Sequence, residues 1–295
     1  MTQPILLYGS DVWGYSKTNV ASIDLLLNWF LRIVLGVKQG TCLSMLYGES
    51  GVYPPSVLCH TNVILYYIRL NNLTQNSVLK SAFLDVQHHH YLGTNNNWCS
   101  NVKSLALEYN IHIDNLPYDC ETKKYVKSVV KEKFISDWRD KMYNMPGLRL
   151  YKLFKHDFRC EPYLQNVKNT NFRKMFTRLR TSSHLLEIER GRHVNKPVCE
   201  RLCSNCNVIE DEFHFVMICP LYEDLRNEFL LKIKNNFPFI CQYSLYEQFL
   251  FCMGFNDHVL HCLVAKFIHQ AFNVRSGVGS SLPPAGDMCQ SLAGD

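Results

Sequence analysis

Four residues carry the clearest chemistry in this sequence. Cys203, Cys206, His214 and Cys219 are spaced C-x2-C-x7-H-x4-C. Two thiolates three residues apart reach one ion from a single tight turn, and an imidazole and a third thiolate from the following element can complete a tetrahedron. Soft sulfur donors with one imidazole suit zinc, and four protein ligands leave no position open, so the expected role of Zn2+ is structural. Cys199 and His193 lie close in sequence and compete as alternative fourth ligands. The bland alternative is that a cysteine-rich chain produced the spacing by chance and the thiols are small buried side chains.

No other group of residues points as clearly to chemistry. His88, His89 and His90 are consecutive and cannot all face one ion from a helix or a strand, which favours a solvated loop. The metalloprotease H-E-x-x-H pattern, the phosphate-binding loop, the G-x-S-x-G elbow and the dinucleotide fingerprint are absent from the sequence. Adjacent acids occur as Glu210-Asp211-Glu212 and Glu223-Asp224, and both read as helix-start charges rather than acid and base partners. No catalytic residue is assigned. An enzyme built on Cys199 beside His193 would need a low-pKa thiolate in an exposed pocket.

The elements that must position the cluster come next. The 295 residues are 47% hydrophobic and 19% charged, which excludes disorder of the whole chain. The net charge of +5 is unevenly placed: Lys123 to Arg180 holds sixteen basic and five acidic side chains, or +11, leaving −6 elsewhere. Thirteen cysteines are an odd number on a long chain, and the first residues show no basic and apolar leader. The longest apolar stretch, residues 23–37, contains Asp24, Asn28 and Arg32 and falls short of a bilayer span. The expectation is a reducing compartment, cytoplasmic or nuclear, with no membrane partner and no evident small-molecule substrate.

The pattern predicts a mainly α protein, with helical bundle-like units and a small structural zinc-binding segment. Ser22 can cap a helix whose face is Ile23, Leu26, Leu27, Phe30 and Val34, ended by Gly36. A second helix is expected over residues 57–70. Val126, Val130, Phe134, Trp138 and Met142 mark a third, beside Lys123, Lys124, Lys127 and Lys131 and ended by Pro146-Gly147. Tyr151, Phe154 and Phe158 read as a helical face with Lys152, Lys155 and Arg159 next to it. Phe172, Met175, Phe176 and Leu179 repeat the design with Arg173, Lys174, Arg178 and Arg180 outward. Two more helices are expected over 221–233 and 249–272. Boundaries follow at 1–93 (helical unit), 94–180 (basic helical region, opening on an Asn-rich loop), 181–275 (zinc-binding segment with C-terminal helices) and 276–295 (flexible tail).

No acid lies between Pro162 and Arg180, whereas a purely solubilising face is normally neutralised by interspersed acids. Lys152, Lys155, Arg159, Arg173, Lys174, Arg178 and Arg180 are therefore candidate contacts to the phosphate backbone of RNA or DNA.

Three motifs carry a resemblance. Arg178-Leu-Arg-Thr-Ser-Ser-His184, Leu186-Glu-Ile-Glu-Arg-Gly-Arg192, and Cys203-x2-Cys206 followed by Glu210-Asp-Glu-Phe-His-Phe215 and Cys219-Pro-Leu-Tyr222 resemble the zinc-binding C-terminal region of non-LTR (LINE-type) retrotransposon reverse transcriptases. Pro4 to Gly14, Leu35-Gly-Val-Lys38 and Tyr47-Gly-Glu-Ser-Gly51 resemble the segment that follows the polymerase, on its thumb side, in such proteins. The resemblance covers about residues 4–275. It implies zinc on Cys203, Cys206, His214 and Cys219, nucleic-acid binding, and a polymerase and endonuclease upstream of these residues. The paired aspartates of a two-metal polymerase site do not occur in the sequence, so neither activity is expected from this chain. The alternative expectation is a structural or protein-interaction relic, which exposed Leu, Phe and Trp near residues 5–35 would favour.

Overall fold

A computed structural model describes residues 3–75, 77–91 and 97–277. The described residues are mainly helical and contain no strand; the nearest approach is a single antiparallel bridge between Leu202 and Ile209. The chain divides into two compact units, Met1–Glu161 and Pro162–Asp295. The expected boundaries at 93/94 and 180/181 instead fall inside units, because the helices that follow them bury their apolar faces on elements of the same unit.

In the first unit α1 (Gln3–Leu6), α2 (Ser10–Trp13), α3 (Lys17–Leu35) and α4 (Leu43–Ser50) lead to α5 (Pro55–Asn71), followed by α6 (Val78–Tyr91), α7 (Trp98–Glu108) and α8 (Cys120–Asn144). Pro55 sits in the first turn of α5, where its missing N–H costs nothing. Val57, Val63, Ile64, Tyr67 and Ile68 of α5 are buried, and α2, α3, α6, α7 and α8 all pack on this helix. Val126 and Val130 of α8 join that core, while Trp138 and Met142 form a second one with Met45 and Tyr151. Gly51 has φ 63°, and a Cβ there would lie 2.1 Å from the Cys160 nitrogen, so both backbone and space require glycine.

Four expectations are corrected in this unit. The N-cap of α3 is Ser16, not Ser22, whose hydroxyl bonds back to Thr18 within the helix; the termination at Gly36, φ 69°, is as expected. The buried face of α3 is Val20, Asn28, Leu31 and Leu35, while Leu26, Phe30 and Val34 are exposed. Residues 151–159 are not a helix but a 3-10 turn, Tyr151–Leu153, and irregular chain. The histidine triplet ends α6 instead of forming a loop, and of the Asn-rich segment residues 92–96 lie outside the described residues. One described helix, Lys17–Leu35, is long and apolar enough by composition to cross a membrane, longer than the fifteen-residue stretch read from the sequence.

The second unit contains α9 (Tyr163–Asn166), α10 (Thr170–Arg180), α11 (Glu187–His193), α12 (Glu223–Asn236), α13 (Leu245–Gly254) and α14 (His258–Arg275). Its centre is α14, against which α9, α10, α12 and α13 pack. Leu260, Val264, Phe267, Ile268, Ala271 and Phe272 of α14 are buried; Phe229 of α12 stacks on Phe267 at 4.5 Å, and Phe215 meets Phe272 at the same distance. The single helix expected over 249–272 is two, because α13 ends at Gly254 and Asp257 caps a new start by accepting from the Leu260 N–H at 2.9 Å. The tail expected over 276–295 lies, from residue 278 on, outside the described residues.

Candidate metal centre

Two short local structures bring the four donors together. The first is a hairpin closed by the Leu202–Ile209 bridge, in which the Cys203 N–H donates to Val208 O at 2.7 Å and the Asn207 N–H to Cys203 O at 2.9 Å. Asn207 takes φ 56°, a left-handed conformation that asparagine tolerates better than most residues. This turn leaves Cys203 and Cys206 on the same side, and the Val208 N–H bonds the Cys206 sulfur. The second is one π-helical turn, His214–Ile218, in which the Cys219 N–H donates to His214 O at 2.9 Å. The widened turn carries one ligand at its start and the other immediately after its end. Asp211 fixes that start by accepting from the His214 N–H at 2.8 Å.

The ligand atoms of Cys203, Cys206, His214 and Cys219 all lie within 4.8 Å of one another. Cys203 and Cys219 sulfurs are 3.8 Å apart, and Cys206 Sγ is 3.2 Å from His214 Nε2. A tetrahedral ion with bonds to sulfur of ~2.3 Å holds its sulfurs ~3.8 Å apart, so the spacing fits a metal of zinc's size. Sulfur–sulfur separations near 2 Å would mark disulfides, and Cys203, Cys206 and Cys219 are free thiols. His214 Nδ1 is buried with no hydrogen-bond partner among the described residues. Nε2 is the nitrogen turned into the cluster, so an ion bound there would keep the ring proton on Nδ1. The described residues therefore contain a cluster that could hold a metal ion.

The surroundings set the charge. Burial pushes the Cys219 thiol up to about 12 and raises that of Cys206, so at neutral pH a bound cation is what would hold these sulfurs as thiolates. Burial lowers the pKa of His214, which leaves a neutral imidazole ready to bind metal. The Leu221 N–H bonds the Cys219 sulfur. Arg226 of α12, itself buried, donates through Nε to Val216 O at 2.9 Å and through Nη2 to Cys219 O. Its guanidinium thus ties down the backbone of the π turn and places a positive charge beside a ligand set carrying up to three negative ones.

The acids beside the cluster do more than start helices. Glu210 is buried and accepts two bonds from Arg275, at 2.7 and 2.8 Å, and one from the Glu187 N–H at 2.7 Å. Glu212 is buried against His184, at 3.1 Å; His184 Nδ1 accepts from the Leu186 N–H, so Nε2 carries the proton toward the carboxylate. Both correct the reading of this trio as helix-start charges, which holds only for Asp211. Glu223 and Asp224 do lie in the first turn of α12. Sequence reasoning missed the pairings of Glu210 and Glu212 and the role of Arg226. Cys199 and His193, the alternative ligands, are exposed and outside the cluster.

The seven cations proposed to grip phosphate separate into two groups. Lys155 is buried: Nζ lies 2.5 Å from Glu161 Oε1 and donates to Arg159 O at 2.8 Å. Arg180 is buried too, donating to Met253 O and lying over the rings of Tyr163 and Phe176. Neither can meet a nucleic acid, since each is already satisfied inside its unit. Arg159 is exposed and Lys152 half-buried in the first unit; Arg173, Lys174 and Arg178 are half-buried on α10 in the second. Arg173 donates to Val167 O at 2.9 Å and Arg178 to Met175 Sδ at 3.6 Å.

Comparison of the chain with protein-family models, curated proteins and solved structures finds no match.

Proposed function

We propose that this chain is a nucleic-acid-binding helical module, with bundle-like units, stabilised by a structural zinc ion. We also propose that it derives from the C-terminal region of a non-LTR retrotransposon reverse transcriptase and has no polymerase or endonuclease chemistry of its own. One observation carries the reading: Cys203, Cys206, His214 and Cys219 converge on one point. The set is sulfur-rich, four-membered and closed, which favours zinc in a structural role over a catalytic metal. The motif resemblance between residues 178 and 222 supplies the origin.

Phosphate binding falls to the cations that remain outside the core. Lys152, Arg159, Arg173, Lys174 and Arg178 keep that role, and Lys168, exposed on the same acid-free stretch, joins them. Within the second unit alone, Lys168, Arg173, Lys174 and Arg178 can neutralise about two or three phosphates at once, and log affinity should fall with log salt at a slope of roughly −2 to −3. Lysine and arginine on the backbone carry no base readout, so sequence preference is weak. The test is titration of fluorescent RNA and DNA duplexes and single strands across salt, with Arg159→Glu plus Lys174→Glu as the variant. Uniform weakening across sequences is expected. Unchanged binding by a variant that keeps its fold and its metal would overturn the phosphate-gripping part.

A second reading, a protein-interaction module with no nucleic-acid binding, is favoured by a different observation. Ile5, Tyr8, Val12, Leu25, Leu26, Trp29, Phe30, Ile33 and Val34 are all exposed.

A further inference from the structure

The apolar stripe of α3 has the layout of a self-complementary surface. Leu25, Leu26, Trp29, Phe30, Ile33 and Val34 are each 48–68% exposed and recur as adjacent pairs every four residues, so they form one continuous band along the helix. The opposite face is fixed: Val20, Leu31 and Leu35 are buried, and Tyr47 donates to Asn28 Oδ1 at 2.5 Å. The charges of the helix do not border the band as free groups. Asp24 accepts from the Ser56 N–H at 2.9 Å, Arg32 donates to Thr41 O at 3.5 Å, and Lys17 meets Glu108 at 3.3 Å.

We infer that this band is where a second copy of the chain docks, with α3 packed antiparallel on its symmetry mate about an axis between Trp29 and Phe30. An isologous interface requires a surface that complements itself, and this one does. The twofold places Trp29 against Phe30, Leu25 against Val34 and Leu26 against Ile33, with the bulkiest pair at the centre and matched aliphatics on either side. From their exposures the six side chains offer ~600 Å² per copy, so the pair would bury ~1,200 Å², the lower bound for a specific interface. A lipid surface fits less well, because interfacial helices carry a row of basic residues on the polar face and α3 has only Lys17 and Arg32, both engaged within the fold. The inference rests on the protein-interaction reading only for its exposed band, and it neither requires nor excludes zinc or phosphate binding elsewhere on the chain.

The test is sedimentation equilibrium of the full chain from about 1 to 200 µM, together with Trp29→Glu, Trp29→Phe and the apolar dye anilinonaphthalene sulfonate. A monomer–dimer equilibrium with a dissociation constant in the micromolar range is expected. Trp29→Glu should raise that constant at least ~30-fold, the scale of a central aromatic anchor, while Trp29→Phe keeps the dimer. Because Trp29 is 53% exposed, both variants should melt like the parent, and the comparison is read only for variants that do. A monomer at 200 µM that still binds dye through the band overturns the second copy but leaves the interaction reading standing; a monomer that binds none overturns both. Trp29→Glu dimerising like the parent also refutes the inference. A monomeric parent that sediments with phosphatidylcholine–phosphatidylglycerol vesicles, where Trp29→Glu does not, gives the band to a membrane instead.

Discussion

Replacing Arg226 with methionine tests how far the metal centre depends on a residue that does not bind the metal. Methionine keeps an unbranched stem of similar length, so packing around the buried side chain is largely retained. What is lost is the guanidinium, and with it the bonds to Val216 O and Cys219 O. Charge-assisted hydrogen bonds contribute about 1.5–3 kcal/mol each. Cys219 O keeps a long bond from the Tyr222 N–H at 3.3 Å, so the net loss should be about 2–4 kcal/mol, or roughly 6–15 °C in melting temperature. Part of it must appear as weaker metal binding, because the same carbonyls belong to the turn that presents His214 and Cys219, and the lost charge had faced thiolates. Residues that support metal ligands in this way typically contribute 10–100-fold to affinity. The assay is competition for zinc with a chromophoric chelator, paired with thermal melts of metal-loaded and metal-free protein. Arg226→Lys should recover part of the affinity, since an ammonium restores charge but cannot bridge both carbonyls as a planar fork does. Zinc affinity within threefold of the parent for Arg226→Met would refute the reasoning.

Burial and the nearby Arg180 lower His261 to about 4, and Asn166 Nδ2 lies 3.0 Å from its Nδ1, a geometry suited to the neutral ring. A histidine whose folded pKa lies below its unfolded value of ~6.5 makes the unfolded state the stronger proton binder between those values, so stability should fall as pH drops from about 6.5 to 4, by up to about 3 kcal/mol. Urea titrations across that range check it, and His261→Gln should flatten the slope. Glu210→Gln should cost about 2–3 kcal/mol by thermal melt, because it leaves the Arg275 guanidinium, 24% exposed, without its carboxylate; a change under ~0.5 kcal/mol would show that the ion pair does little.

The ligand set was legible in the sequence because it is local: all four donors fall within seventeen residues, and their spacing alone limits how they can meet. Arg226 and the Glu210–Arg275 pair were not, since a buried cation that serves a carbonyl and one that is solvated look identical in a string of residues. Lys155 and Arg180 failed for the same reason. Charge density predicted an outward face, but Lys155 turns in to Glu161 and Arg180 to the Met253 carbonyl. In α8 the four-residue apolar repeat picked out the buried Val126, Val130, Trp138 and Met142 correctly, because the opposite side of that helix is polar. In α3 apolar residues surround the helix, so periodicity could not decide which face was core, and of the expected face Leu26, Phe30 and Val34 are exposed while Ile23 and Leu27 are half-buried.

The central claim is that Cys203, Cys206, His214 and Cys219 hold one structural zinc ion. Its most direct measurement is the metal content of protein purified without chelator, by inductively coupled plasma mass spectrometry, for the parent and for Cys206→Ser and His214→Ala. The account predicts about one zinc per chain in the parent and loss of it in both variants, with the segment from about residue 198 to 225 exchanging its amide hydrogens faster, since so short a segment depends on the ion for much of its folding free energy. Parent protein that carries no metal and takes up neither zinc nor cobalt, with no thiolate-to-cobalt charge-transfer band, would contradict it.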